Sequence, residues 1–206
     1  MLKIWGRLTS INVQKVVWCA EELGIAYERI EAGRAHGVVN TPAYRAMNPN
    51  GVVPVIDDDG FVLWESNAIV RYLAARHGHG TLSPTDVQAR ADADRWMDWQ
   101  SATLYPSVNP VFWQLIRTDP DKRNVALIES SCIEVEQKLA VLNAHLASHE
   151  FVTGKTMTMG DIPLACTVNR WTKLPIAHES HPHVARWFAT LRARNAAQEI
   201  VGLALS

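Results

Sequence analysis

Every clear strand signal in this chain lies before residue 65, and almost none follows it. LKIW (2–5), AYERI (26–30), VPVI (53–56) and FVLW (61–64) are short runs rich in β-branched and aromatic residues. Between the first two, Val13, Val16, Val17, Ala20 and Leu23 recur at helical spacing, and Gly24 closes that helix. A helix joining two strands implies a right-handed βαβ unit. Asp57-Asp58-Asp59-Gly60 between the last two runs reads as a hairpin turn. Thr41-Pro42 opens a short helix through Met47, with proline in the first turn where its missing N–H costs nothing. Glu65 to His77 carries Ile69, Tyr72 and Leu73 on one face and stops at Gly78. The order β-α-β-α-β-β-α predicts a mixed four-stranded sheet with helices packed on it.

The rest of the chain reads differently. Residues 79–85 (HGTLSPT) have the composition of a linker. From Asp86 to about Arg117 the pattern is one long helix, with Pro106 and Pro110 marking where it could break. Asp119-Pro120 is expected to cap and start the next helix. There Val125, Ile128, Cys132, Val135, Leu139, Leu142 and Leu146 alternate spacings of three and four, a packing stripe. Thr158-Met-Gly-Asp161 fits a capping box with Asp in place of Glu or Gln, before a helix holding Cys166 and Trp171. A last long helix follows Pro182, with Val184, Trp187, Phe188 and Leu191 inward. The expected organisation is therefore an α/β domain over 1–78, a linker over 79–85, and an all-α domain over 86–206.

Composition narrows the function. A net charge of −1 gives no electrostatic reason to expect nucleic acid or an anionic membrane as partner. No apolar run approaches the roughly 20 residues that span a bilayer. The apolar part of MLKIWGRLTS is too short for a secretory signal and reads as the first strand. Cys19, Cys132 and Cys166 are widely spaced among apolar residues, which predicts buried thiols in a reducing cytosol rather than a disulfide framework. With no CxxC or Cys/His cluster, and no further ligand at suitable spacing from His181-Pro-His183, no metal is expected.

Three short segments could carry chemistry. Pro54 has no N–H for a sheet ladder, so it belongs where pairing is interrupted. Local sequence favours an ordinary trans edge proline, because cis occurs in only about 5–6% of X–Pro bonds. A cis bond would instead turn the Val53 backbone N–H and C=O toward an extended ligand. Glu65-Ser66 at a helix start is most simply a capping pair. It also suits an α-amino acid: Ser66 and free backbone N–H groups for the carboxylate, Glu65 for the ammonium. Thr9, Ser10 and Asn12, between the first strand and its helix, are turn and cap types by themselves. At the positive end of a helix they could equally donate to a thiolate and lower its pKa.

Taken together, these segments resemble the cytosolic glutathione transferase family over essentially the whole chain. The most specific part is Asn48-Pro49-x-Gly51-x-Val53-Pro54-Val55, then Asp59-Gly60, then Leu63-x-Glu65-Ser66-x-Ala68-Ile69-x-x-Tyr72-Leu73. Thr158-x-x-Asp161-Ile162 is similar to that family's box in the helical half. The resemblance implies a thioredoxin-like first domain with Pro54 cis, followed by an all-helical domain. It implies glutathione as co-substrate, held by Val53, Pro54, Glu65 and Ser66. No tyrosine follows the first strand. Counting back from Leu23-Gly24 places Ser10 where serine-type (theta- and delta-like) members carry the thiolate-binding hydroxyl, with Asn12 and Thr9 as helpers. Ser10-Ile11-Asn12 also matches a Ser/Thr-x-Asn arrangement in bacterial members with disulfide-reductase activity.

The implied reaction is conjugation of the glutathione thiolate to a small apolar electrophile, in a cleft lined by the helical half. Trp99, Tyr105 and Trp113 are the candidate lining residues among aromatics that otherwise serve the core. Glutathione-dependent disulfide or peroxide reduction is the alternative within this chemistry; a non-enzymatic binding or scaffold protein is the alternative outside it. The resemblance further implies a cytoplasmic homodimer.

Overall fold

Four strands, β1 (Leu2–Trp5), β2 (Tyr27–Ile30), β3 (Val55–Asp58) and β4 (Phe61–Trp64), form one sheet in the order β2-β1-β3-β4. β1 and β2 run parallel, as a helical crossover requires; β3 is antiparallel to both β1 and β4. The turn between β3 and β4 is two residues long, with φ of 52° at Asp59 and 95° at Gly60. Positive φ at both positions is what a tight hairpin needs, and Asp-Gly is suited to it. The Asp57 side chain locks the turn by accepting from the Gly60 amide at 2.7 Å.

This computed structural model describes residues 1–206, which divide into two compact units, Met1–Ser83 and Pro84–Ser206. In the first unit, helices α1 (Ile11–Glu22) and α3 (Ser66–His77) pack together. Val13, Val16, Val17, Trp18 and Cys19 of α1 are buried with Ile69, Val70, Leu73 and Ala74 of α3, and with Ile4, Val55 and Ile56 of the sheet. The short α2 (Pro42–Met47) is capped by Thr41, whose hydroxyl accepts from the Tyr44 amide. On edge strand β4, Phe61, Val62 and Trp64 remain exposed.

The second unit is helical. The expected long helix is a continuous path of four pieces: α4 (Val87–Trp99), a π-helical stretch (Gln100–Leu104), α5 (Tyr105–Phe112) and a second π-helical stretch (Trp113–Arg117). Residues at the junctions keep right-handed helical φ/ψ, so neither proline breaks the run. Proline lacks an N–H and its ring crowds the carbonyl four residues back. Widened turns before and after α5 shift the bonding pattern around both prolines instead.

Helix α6 (Val125–Leu146) starts later than expected. Asp119-Pro120 opens only a 3₁₀ turn (Pro120–Lys122), and the cap is Asn124, whose side chain accepts from the Leu127 amide at 3.0 Å. The stripe is also shorter than expected: Val135, Leu139, Leu142 and Leu146 are buried, whereas Val125 at the first turn is 61% exposed.

Helix α7 (Asp161–Thr172) is buried from Asp161 through Trp171. Its box forms with the Asp161 carboxylate accepting from the Thr158 amide at 2.8 Å, while the Thr158 hydroxyl accepts from Gly160. Helix α8 (Pro182–Arg192) buries Val184, Trp187, Phe188 and Leu191, and the short α9 (Gln198–Gly202) follows. No helix is long and apolar enough to cross a membrane.

Candidate functional site

The loop from Gly6 to Ser10 leaves β1 and feeds α1. Gly6 is required there: a Cβ would lie 2.4 Å from a Val13 methyl and 3.3 Å from the Val53 Cβ. The loop is pinned by the Gln14 amide donating to the Leu8 carbonyl at 3.0 Å. Ser10 is the N-cap of α1 with extended φ/ψ (−81°, 123°) and is 9% exposed, yet its hydroxyl makes no capping bond.

Ser10 differs in this from the threonine, aspartate and asparagine that stand at other α-helix N-caps. Thr41, Asp86 and Asn124, at the starts of α2, α4 and α6, all accept a hydrogen bond from their helix's own amides. A serine at an N-cap normally does the same, worth about 1 kcal/mol. Ser10 has the position and leaves the helix amides to another acceptor.

The second segment is the start of α3. Glu65 is its N-cap, not its first residue, and has φ 71° and ψ 109°. Positive φ in a residue with a side chain costs on the order of 1–3 kcal/mol and persists only where surroundings impose it. The Glu65 side chain is exposed and caps nothing. Ser66, next to it, is buried, and its hydroxyl donates to Asn12 Oδ1 at 3.3 Å. This bond joins the first turn of α1 to the N-terminus of α3, across 54 positions of sequence.

The third segment precedes β3. The Val53–Pro54 bond is cis, and Val53 precedes the strand, so its backbone N–H and C=O take no part in the ladder. The carbonyl before it, Val52, is held by Tyr44 Oη at 2.8 Å and Asn48 Nδ2 at 2.9 Å. Burial pushes the Tyr44 phenol up to about 12, so it stays a neutral donor.

Sequence reasoning missed Arg7. Its Nη1 lies 2.8 Å from where a Gly33 Cβ would stand, and Val53 Cγ1 lies 3.4 Å from the same point. Burial, and then the neighbouring Arg34, hold the Arg7 guanidinium below its usual pKa. Arg7 thus stands near Val53 with Arg34 and the opposing Glu31 carboxylate acting on it, from residues more than 20 positions away that no local pattern connects.

In the helical unit, Trp99 is half-buried edge-on to Trp96, with ring centroids 5.4 Å apart. Tyr105 is half-buried and donates to Asn109 Oδ1 at 3.1 Å. Trp113 is 46% exposed beneath the Arg117 guanidinium, 4.6 Å from its ring centre. All three are strung along the α4–α5 path. The fold also gathers Glu136, Glu179 and His181 at one place in this unit.

A thioredoxin-like sheet with a cis-proline segment, an uncommitted serine at α1 and a strained Glu-Ser at α3, followed by an all-helical unit, defines a glutathione transferase. The family profile for the glutathione S-transferase N-terminal domain matches residues 9–76, and that for the C-terminal domain matches residues 104–195. The chain is 39% identical to glutathione S-transferase GstB of Escherichia coli K12 over 208 residues, covering 100% of both. It is 30% identical to glutathione S-transferase 3 of Zea mays, covering 97% and 93% of the two chains. Among solved structures, the glutathione-bound theta class glutathione S-transferase from Xanthomonas axonopodis pv. citri superposes with a TM-score of 0.95 at 46% identity, covering 100% and 99%. The chain belongs to the glutathione S-transferase family.

Proposed function

We propose that this glutathione transferase holds glutathione in its first unit and presents the thiolate to Ser10. The γ-glutamyl carboxylate lies at Ser66 and the free amides at the start of α3, where the helix dipole favours an anion. Glu65 pairs with the γ-glutamyl ammonium. Val53, ahead of Pro54, offers its N–H and C=O to the cysteinyl backbone as an added strand would. Ser10 donates to the sulfur, Thr9 and Asn12 assist, and the positive end of α1 adds to the stabilisation. The thiolate lone pair then forms the new C–S bond of a small apolar electrophile, either expelling a leaving group as its anion or adding to an activated double bond whose carbanion takes a proton from water; Trp99, Tyr105 and Trp113 supply aromatic surface for it.

The observation that carries this reading is the Ser10 hydroxyl, which sits at a helix N-cap without capping it. A hydrogen bond to a charged group is worth about 1.5–3 kcal/mol, enough to lower a thiol pKa by one to two units from the ~8.5 of free cysteine. The test is thiolate absorbance of the glutathione complex against pH. Ser10→Ala should raise that titration by one to two units and slow conjugation about 10- to 100-fold, with glutathione affinity little changed. Absence of any bound thiolate in the wild type would overturn the assignment and favour a non-enzymatic binding role.

Thiol–disulfide or peroxide reduction is a second reading, favoured by the placement of Asn12 against Ser66. A titration moved by Asn12→Ala and not by Ser10→Ala or Thr9→Ala would select it. A homodimer in the cytoplasm fits the three free cysteines and the exposed apolar edge strand, Phe61, Val62 and Trp64.

A further inference from the structure

Glu136 projects from α6, Glu179 lies in the segment between α7 and α8, and His181 is the N-cap of α8. Their donor atoms lie within 4.8 Å of one another. His181 Nε2 and Glu136 Oε2 are 2.7 Å apart, and both side chains are nearly buried, at 10% and 11% exposed. The other carboxylate oxygen of Glu136 accepts from the Trp171 indole N–H at 3.2 Å and from the Glu179 amide at 3.5 Å. Beside the cluster is a cavity of about 260 Å³, walled by Leu139, Trp171, Val184 and Phe188 and reached by Glu179 and His181.

The pair joins His181 to Glu136 alone, and Glu179 brings a second carboxylate within 4.8 Å of both without bonding to either through its side chain. Two carboxylates this close repel each other, and a cation placed among them turns that repulsion into attraction. We propose that Glu136, Glu179 and His181 form a binding site for a divalent transition-metal ion of the zinc type. One imidazole and two carboxylates are a donor set that such ions take, at about 2.0–2.2 Å per ligand. Glu179 is exposed and can swing in, and His181 moves off Glu136 to admit the ion. The Trp171 N–H fixes the Glu136 carboxylate from behind, as an outer-shell partner does for a ligating group. Three protein ligands would leave a fourth position for water or another ligand. A bound ion would tie α6 to the start of α8. The site belongs to Pro84–Ser206, whereas every proposed glutathione contact belongs to Met1–Ser83, and it does not rest on that reading.

The test is calorimetric titration of chelator-treated full-length protein with Zn²⁺, alongside its thermal midpoint and the visible spectrum of the Co²⁺ form. One equivalent should bind per chain with micromolar or tighter affinity. At about 100-fold over Kd the midpoint should rise by about 5–10 °C. Glu179→Gln and His181→Gln should each weaken binding at least about tenfold. Glu179 is exposed, so its variant stays folded and informative even if His181→Gln does not. His149→Gln, at a histidine stacked on His145, should bind like wild type. No stoichiometric binding up to about 1 mM zinc, a concentration at which a Kd near 1 mM corresponds to only about −4 kcal/mol, would overturn the proposal. So would binding that survives Glu179→Gln unchanged.

Discussion

Asp161→Ala removes the acceptor that holds the helical unit together. The Asp161 carboxylate takes three strong donors: the Thr158 amide at 2.8 Å, the Val152 amide at 3.0 Å and the Trp187 indole at 2.8 Å. Asp161, Val152 and Trp187 are all fully buried, so none of these donors can turn to water. An orphaned buried donor costs about 1–3 kcal/mol; three, partly relieved by relaxation, come to on the order of 4 kcal/mol. For a chain of this size that is a fall in Tm of about 8–16 °C. The assay is urea unfolding followed by far-ultraviolet circular dichroism, with glutathione affinity of the folded fraction measured in parallel. Affinity should hold, because every proposed glutathione contact lies in Met1–Ser83. A loss below about 1 kcal/mol would refute the reasoning, since it would mean that the donors find other partners.

The same residue gives a pH dependence. Burial outweighs its hydrogen bonds and pushes the Asp161 carboxyl from 3.8 up to about 6. The folded protein thus binds a proton there that the unfolded chain has already released. The stability this contributes is full below pH 3.8 and is lost as pH rises through 6. Wild-type stability relative to Asp161→Asn should therefore fall by on the order of 2 kcal/mol between pH 4 and 7. A gap that widens in the wild type's favour over that range would contradict the burial argument.

Glu65→Ala or Ser66→Ala should weaken glutathione binding by about 2–5 kcal/mol in calorimetry with the fold retained. Glu65→Gly should lose affinity similarly while raising Tm, because glycine relieves the positive φ; a lower Tm would show that the strain is absent. Light scattering at micromolar concentration should give a dimer mass, and Phe61→Glu on edge strand β4 should shift it toward monomer; a monomeric wild type would contradict the dimer. Trp113→Ala should raise KM for an apolar electrophile and leave that for glutathione unchanged; equal effects on both would remove Trp113 from the electrophile site.

What could be read from the sequence was what is settled within a few residues. Asp59-Gly60, Thr41-Pro42 and the inward residues of α8 act through turn geometry, capping and helical spacing, and each behaves as its local pattern implies. The misplaced features depend on competition between neighbours. Asn124 outcompetes Asp119 as the cap of α6, and the widened turns around α5 absorb prolines that a local rule treats as breaks. Features that meet across long stretches, such as Arg7 near Val53 or Glu136 against His181, leave no local trace at all.

The candidate site lies between these cases, and capping shows why. Ser10, Asn12 and Glu65-Ser66 are residues that sequence alone assigns most simply to helix starts. In this molecule the starts of α2, α4 and α6 show what capping looks like: a side-chain oxygen 2.8–3.2 Å from an amide three positions on. α1 and α3 have residues at the same position whose side chains do not do this. Instead, Asn12 reaches across to Ser66, and Glu65 holds a backbone conformation that works against stability. α1 thus forgoes the roughly 1 kcal/mol that a serine cap can supply, and the adjoining start of α3 carries backbone strain at Glu65. Amides left without a side-chain acceptor at two joined helix N-termini carry partial positive charge, which is why we propose that the glutathione carboxylate and thiolate are held there. Unmade caps alone are shared with α5, α7, α8 and α9, so the proposed site rests on a serine that stands at an N-cap without capping and on the Asn12–Ser66 bond beside it.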